Sequence, residues 1–171
     1  PRKLVRKFLH CYGPANVDAF IGWLGCSGKQ GRRMWNSVSG EMETVMSNGK
    51  KASILSADSE NLFSPPAFGR ELLLLGGHDP YLDQRDRLVL QPDKSLHKHI
   101  WKTVSNPGAI CFHGEIIGTW TSKKKGRGME INLSLWNDAA AESRLRSLAE
   151  DYTAFRRQEL VKVEISVDNG R

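Results

Sequence analysis

Two groups of cations are the residues of this 171-residue sequence best suited to chemistry with an anionic partner. Lys29, Arg32, Arg33 and Asn36, with Ser37, gather on one face if their segment is helical. Cations in that arrangement suit phosphate oxygens, and the asparagine amide suits a base edge, as for a helix entering a major groove. The plainer reading is the solvated face of a core helix. Lys123-Lys124-Lys125-Gly126-Arg127 places four cations within five residues. Their repulsion is a cost that nearby phosphates would offset; a solvated loop is the alternative. Lys50 and Lys51, just after Asn48-Gly49, form a third set able to touch a nucleic-acid backbone.

Other candidates carry less. His97 and His99 would share a face if they lay on a strand, and with His78, His113 and Cys111 they raise the question of a metal. Nothing nearby completes a ligand set, and Lys98 repels a cation, so no metal is expected. Asp79, Arg85, Asp86 and Arg87 could suggest acid–base chemistry, but alternating acids and arginines more often form an ion-pair lattice that pins a loop. Asp79-Pro80-Tyr81 reads as a turn, because proline fixes the backbone at its second position. Among the tryptophans, Trp23 and Trp35 sit beside apolar helical positions and are expected in the core, as against Trp101 and Trp136, for which stacking on bases stays open. Trp120, next to the basic loop, is the candidate for base stacking. The sequence has no GxGxxG, Walker loop, HExxH or GxSxG. No catalytic residue is therefore assigned, and no cofactor is expected.

Composition agrees with an anionic partner without proving one. Lys and Arg number 25 against 19 Asp and Glu, for a net charge of +6 and a pI near 9.4. The apolar share of 39% is ordinary for a globular protein. No apolar run approaches the roughly 20 residues that span a bilayer, and neither a secretory signal nor a lipidation motif is present. No membrane association is expected. Cys11, Cys26 and Cys111 are odd in number and lack CxxC spacing, which argues against a disulfide framework and a structural zinc. A reduced cytoplasm, at the nucleoid, is the expected setting.

The elements that must position these residues are legible in the periodicity. Leu4, Val5, Phe8, Leu9 and Tyr12 share a helical face that Gly13-Pro14 ends. Asn16 is a plausible N-cap for a second helix bearing Val17, Phe20, Ile21 and Leu24. Gly25-Cys26-Ser27-Gly28 then turns into a third helix, with Gly31, Met34, Trp35 and Val38 on its inner side, the layout of a helix-turn-helix. Asn48-Gly49 between two short β-capable runs is a strong hairpin signal. Three helices and a hairpin make a winged helix.

Ser64-Pro65-Pro66-Ala67-Phe68-Gly69 marks a boundary. Beyond it, Arg70–Leu75, 109–112 and 115–117 read as strands, the last two flanking a tight His113-Gly114 turn. Thr119–Thr121 and Met129–Leu135 flank the loop 122–128, and the latter alternates with strict period two. A helix is expected over about 138–158 with Leu145, Leu148, Ala149, Tyr152 and Phe155 on one face, then a strand with Val161, Val163, Ile165 and Val167 alternating. The expected fold class is α+β: a winged helix-turn-helix at 1–64, then at 65–171 a small β-barrel or curved antiparallel sheet closed by a C-terminal helix.

One ordered series of residues resembles a known family. Tyr12-Gly13-Pro14-Ala15, Trp23-Leu24-Gly25, Gly77-His78-Asp79-Pro80-Tyr81-Leu82, Arg85-Asp86-Arg87, Trp101 and Gly118-Thr119-Trp120 are similar to the winged-helix DNA glycosylases of bacteria, the AlkZ- and YcaQ-like enzymes. The resemblance runs from about Arg2 to Phe155. It implies winged-helix modules followed by a β-barrel that projects a hairpin towards DNA, and excision of alkylated or crosslinked bases. The family's Gln-x-Gln or His-x-Gln catalytic triplet is not found among Gln30, Gln84, Gln91 and Gln158. The expectation is a DNA-binding C-terminal portion, with the catalytic module elsewhere, acting as a monomer on double-stranded DNA, damaged or intact. A winged-helix transcriptional regulator with a ligand- or partner-binding barrel is the alternative. Such regulators usually bind paired half-sites as dimers.

Overall fold

The computed structural model describes residues 1–67, 69, 71–83 and 87–167. Two compact units emerge, Pro1–Phe68 with Asp83–Val89, and Gly69–Leu82 with Leu90–Arg171.

The first unit begins with α1 (Arg2–Tyr12). Its period-3.6 stripe buries Val5, Phe8 and Leu9, while Leu4 at the margin stays 40% exposed. Gly13 ends it in extended conformation, its N–H donating to the Leu9 carbonyl at 2.8 Å. Helix α2 (Val17–Leu24) is capped by Asn16, whose side chain accepts the Ala19 N–H at 2.8 Å. It stops at Gly25, whose φ of 66° is cheap only without a Cβ. Ser27 caps α3 (Gly28–Asn36) in the same manner, accepting from the Gln30 N–H.

Helices α2 and α3 approach closely at Gly31. A Cβ there would overlap the Ile21 side chain and lie 3.2 Å from the Cys26 sulfur. That contact explains a glycine inside a helix, where propensity alone disfavours it by about 1 kcal/mol relative to alanine. The core of this unit joins Val5, Phe8, Leu9, Phe20, Trp35, Val38 and Leu55.

Strands β1 (Met42–Ser47) and β2 (Lys50–Leu55) form an antiparallel hairpin, with Ser47 opposite Lys50. Asn48 and Gly49 both take positive φ, 48° and 72°, as a two-residue turn of the I′ kind demands. Ala15 and Ser53 exchange backbone hydrogen bonds at 3.0 and 2.8 Å, tying the α1–α2 connection to β2. Helix α4 (Ser59–Phe63) follows.

In the second unit, β3 (Leu72–Leu75), β4 (Gly108–Phe112), β5 (Glu115–Lys125), β6 (Gly128–Leu135) and β7 (Glu159–Val167) form one sheet in the order β3-β4-β5-β6-β7. Short helices α5 (Arg87–Leu90) and α6 (His97–Ile100) fall within the β3–β4 connection. Helix α7 (Glu142–Phe155) joins β6 to β7 and buries Leu145 and Ala149 against Ile131, Leu133 and Leu135.

Of the two forms expected for this sheet, a small barrel or a curved antiparallel sheet, neither holds in full. It is open, with β3 and β7 at its edges, so there is no closed barrel among the described residues. It is also mixed: β3 to β6 run antiparallel, but β7 lies parallel to β6. The reason is the crossover. A helix between two neighbouring strands returns the chain to the end of the sheet where it started, which makes the second strand parallel.

Three local expectations also change. The proposed loop 122–128 is mostly strand: β5 continues through Lys125, β6 starts at Gly128, and Gly126-Arg127 alone form the turn. Helix α7 is shorter than 138–158, and Phe155 at its end is 82% exposed rather than on the buried face. In β7 the alternation breaks at a bulge, since Met129 pairs with Leu160 but Glu130 pairs with Lys162. The skipped Val161 is exposed and Leu160 takes its place towards the core, while Val163 and Ile165 face it as expected. No described helix is long and apolar enough to cross a membrane.

Candidate nucleic-acid interface

Helix α3 presents Lys29, Arg32, Arg33 and Asn36 to solvent, with Gly31, Trp35 and the following Val38 buried behind them. The exposed face divides into two rows of i, i+4 neighbours. Arg32 and Asn36 make one row, and Arg32 is held by Asp18 of α2, Nη2 to Oδ1 at 3.3 Å. Lys29 and Arg33 make the other. Together with Arg2 of α1, they line a groove of about 680 Å3, along with Ser27, Gln30 and Met34.

Arg2 and Gln30 were missed by sequence reasoning. Gln30 could have been found, since it adjoins Lys29 at the start of the same helix. The placement of Arg2 could not, because packing of α1 against α3 sets it. The hairpin residues Lys50 and Lys51 are exposed beside the Asn48-Gly49 turn and do not line this groove.

A bidentate ion pair stands nearby. The Arg6 guanidinium donates to both oxygens of Glu41, at 2.7 and 2.8 Å. Those hydrogen bonds hold the Glu41 carboxyl below its ordinary pKa, and the charges of Arg6 and Arg2 lower it further. The same partner raises the Arg6 pKa.

In the second unit, Lys123, Lys124 and Lys125 form the exposed end of β5, and Arg127 is the second turn residue. Gly126 takes a φ of 61°, the conformation a two-residue turn requires at its first position. This positive tip is partly compensated. The Lys125 ammonium donates to Glu130 on β6. That hydrogen bond, followed by the fields of Lys125, Lys162 and Lys123, pulls the Glu130 carboxyl down. Lys123, Lys124 and Arg127 form no ion pair among the described residues.

Two of the tryptophans, Trp120 and Trp23, exchange the positions expected for them. Trp120 is 7% exposed, and its indole Nε1 donates to the Leu75 carbonyl at 2.8 Å, so it is a core residue and cannot stack on a base. Gly108 leaves room for its ring. Trp23 is 46% exposed rather than core, although its ring lies 5.3 Å from Phe8 and 6.0 Å from Tyr12. Trp35 is buried, as its helical position suggested. Trp101 donates to the Leu82 carbonyl at 2.9 Å, and Trp136 packs on the small core of Leu82, Leu90, Ile100, Ala109 and Ile116.

The remaining candidates resolve as architecture. His97 and His99 lie on a helix, not a strand, and the His97 Nε2 sits 2.8 Å from the Gln91 carbonyl. No cluster of three or more His, Cys, Asp or Glu able to hold a metal occurs among the described residues. Asp79 makes the expected turn, its carboxylate accepting the Tyr81 N–H at 2.9 Å. Arg85 and Asp86 of the proposed ion-pair lattice lie outside the described residues, as does Gln84. Cys111 is buried, and burial raises its thiol pKa, which makes it inert.

The AlkZ-like DNA glycosylase family model matches residues 1–155, and the chain belongs to that family. Among solved structures, the Streptomyces sahachiroi DNA glycosylase AlkZ shares its fold, with a TM-score of 0.75 at 21% identity. The alignment covers 96% of this chain and 45% of that one, so the chain spans a little under half of its structural relative. No curated protein matches it.

Proposed function

We propose that this chain is the DNA-binding C-terminal portion of a bacterial DNA-repair glycosylase acting on alkylated or crosslinked bases. In this reading, residues 1–64 act as a winged helix-turn-helix and 65–171 as a second DNA-facing domain. Water attack on the glycosidic bond is the work of a module outside these residues. The chain itself supplies grip: Lys29, Arg32, Arg33 and Asn36 of α3 towards a groove, Lys50 and Lys51 at the wing, and Lys123, Lys124, Lys125 and Arg127 at the β5–β6 turn.

The observation that carries the reading is the α3 face. Its inner side is committed to the core, while its outer side holds Lys29, Arg33 and the Asn36 amide, with Arg32 alone engaged, by Asp18 at 3.3 Å. Family membership supplies the reaction class. Such an enzyme must hold a distorted duplex while a base is exposed, which calls for contacts to phosphate rather than to sequence. A monomer working at the nucleoid follows from that role.

Binding to a short duplex tests the reading, by fluorescence anisotropy across a salt series, with and without a central abasic-site analogue. Tighter binding to the modified duplex and affinity falling steeply with salt are expected. Equal and weak binding to both would remove the repair role. Binding as a dimer to paired half-sites would instead favour a regulator.

A further inference from the structure

We infer that the groove between the start of α1 and α3 is a seat for one phosphodiester of a nucleic-acid backbone, with Arg2 as its previously unassigned ligand. The inference rests on the DNA-binding reading above and adds to it a defined contact from α1.

The groove is lined by Pro1 and Arg2 at the start of α1 and by Ser27, Lys29, Gln30 and Arg33 in and just before α3, with Met34 on its wall. Three cations from two separate elements therefore converge on one concavity of about 680 Å3, and no carboxylate lines it. Arg2, Lys29 and Arg33 form no ion pair among the described residues. Glu41 feels the charge of Arg2, and both its oxygens are already taken by Arg6. Like charges held together without a counter-ion cost energy, and an anion in the groove offsets that cost.

The placement of these cations strengthens the case. Arg2 and Lys29 occupy the first turns of their helices, and neither first turn carries an acid. Helix N-termini carry a partial positive charge, so cations there are disfavoured and anions favoured. For the helices alone this arrangement is unfavourable; for a bound phosphate every element of it is attractive. Pro1 and Met34 add apolar lining beside the cations, which suits a sugar–phosphate backbone better than a free ion.

The test compares Arg2→Gln and Arg33→Gln with Lys3→Gln, a neighbouring cation that does not line the groove and removes the same charge. Anisotropy with a short duplex over a salt series is read alongside amide shifts of Lys29 and Gln30 on titration with inorganic phosphate. Each groove variant is expected to bind roughly three- to tenfold more weakly, uniformly across sequences, with a salt slope about one unit shallower. Lys3→Gln is expected to change little. Losses as large in Lys3→Gln, or unchanged slopes in the groove variants, overturn the seat while leaving DNA binding intact. If the unmodified chain binds no duplex, the broader reading fails. The phosphate titration then decides alone: shifts abolished by Arg33→Gln keep an anion site, and flat titrations remove it.

Discussion

Lys125 and Glu130 are joined across the β5–β6 turn, so one of the four cations at this tip is occupied by the protein's own carboxylate. Arg32 and Asp18 repeat the arrangement on α3. Each basic surface thus contains one cation that must leave an internal partner before it can meet a phosphate. Such exposed pairs are weak, typically about 0–1 kcal/mol, and exchange for phosphate is easy.

Glu130→Gln should therefore release Lys125 and raise duplex affinity by roughly twofold at low salt, with a slightly steeper salt dependence. Anisotropy measures both. Replacing Lys123, Lys124, Lys125 and Arg127 together with alanine should do the opposite, uniformly over sequences. No change of affinity in that variant would remove the turn from the interface.

Gly31→Ala should destabilise the first unit by about 1–3 kcal/mol, because the new methyl overlaps Ile21 across the α2–α3 contact. Helix propensity alone points the other way, so the sign discriminates between the two effects. Urea denaturation followed by circular dichroism supplies the measurement. A neutral or stabilising result would show that Ile21 repacks freely.

Trp120→Phe should cost about 1–2 kcal/mol, since it leaves the Leu75 carbonyl without its indole donor. Duplex affinity should be unaffected, because the ring is buried against Tyr152, 4.7 Å between centroids. Acrylamide quenching gives a parallel check: Trp23 is accessible, Trp120 is not. Loss of DNA binding without loss of stability in Trp120→Phe would contradict the buried assignment.

Acid should weaken the fold through Glu41 and Glu130. Both carboxyls are held below their ordinary pKa, mainly by hydrogen bonds from Arg6 and Lys125. Their contribution is present above the unfolded carboxylate value of about 4.3 and is lost as pH falls through the lower folded values. Comparing urea midpoints at neutral and acidic pH, Glu41→Gln should be less stable than the parent near neutrality, and the gap should close in acid. A gap that widens in acid would reverse the assigned sign.

Much of the local architecture was legible because local rules govern it. The caps at Asn16 and Ser27 need only a side-chain oxygen and the next turn's N–H. The Asn48-Gly49 and His113-Gly114 turns need only residues that tolerate positive φ. The helical faces of α1 and α3 follow from apolar spacing, and so does the exposure of Lys29, Arg32, Arg33 and Asn36. These features, with the ordered residues that resemble a glycosylase family, were determined by the sequence itself.

Other features depend on residues far apart in the chain, which periodicity does not see. The strand β7 aligns parallel to β6 because α7 carries the chain back, and a bulge at Val161 then puts Leu160 in its place towards the core. The lysines 123–125 read as a loop from their charge, yet pairing with 128–130 on β6 draws them into a strand. Buried Trp120 is anchored on a carbonyl 45 residues away, while Trp23, on an apolar helix, stays 46% exposed beside Phe8 and Tyr12 of α1. The groove needs α1 and α3 side by side before Arg2 can join Lys29 and Arg33. Sequence determined which residues were polar, apolar or turn-forming; tertiary packing decided which neighbours they met, because burial and electrostatics act through distance in space.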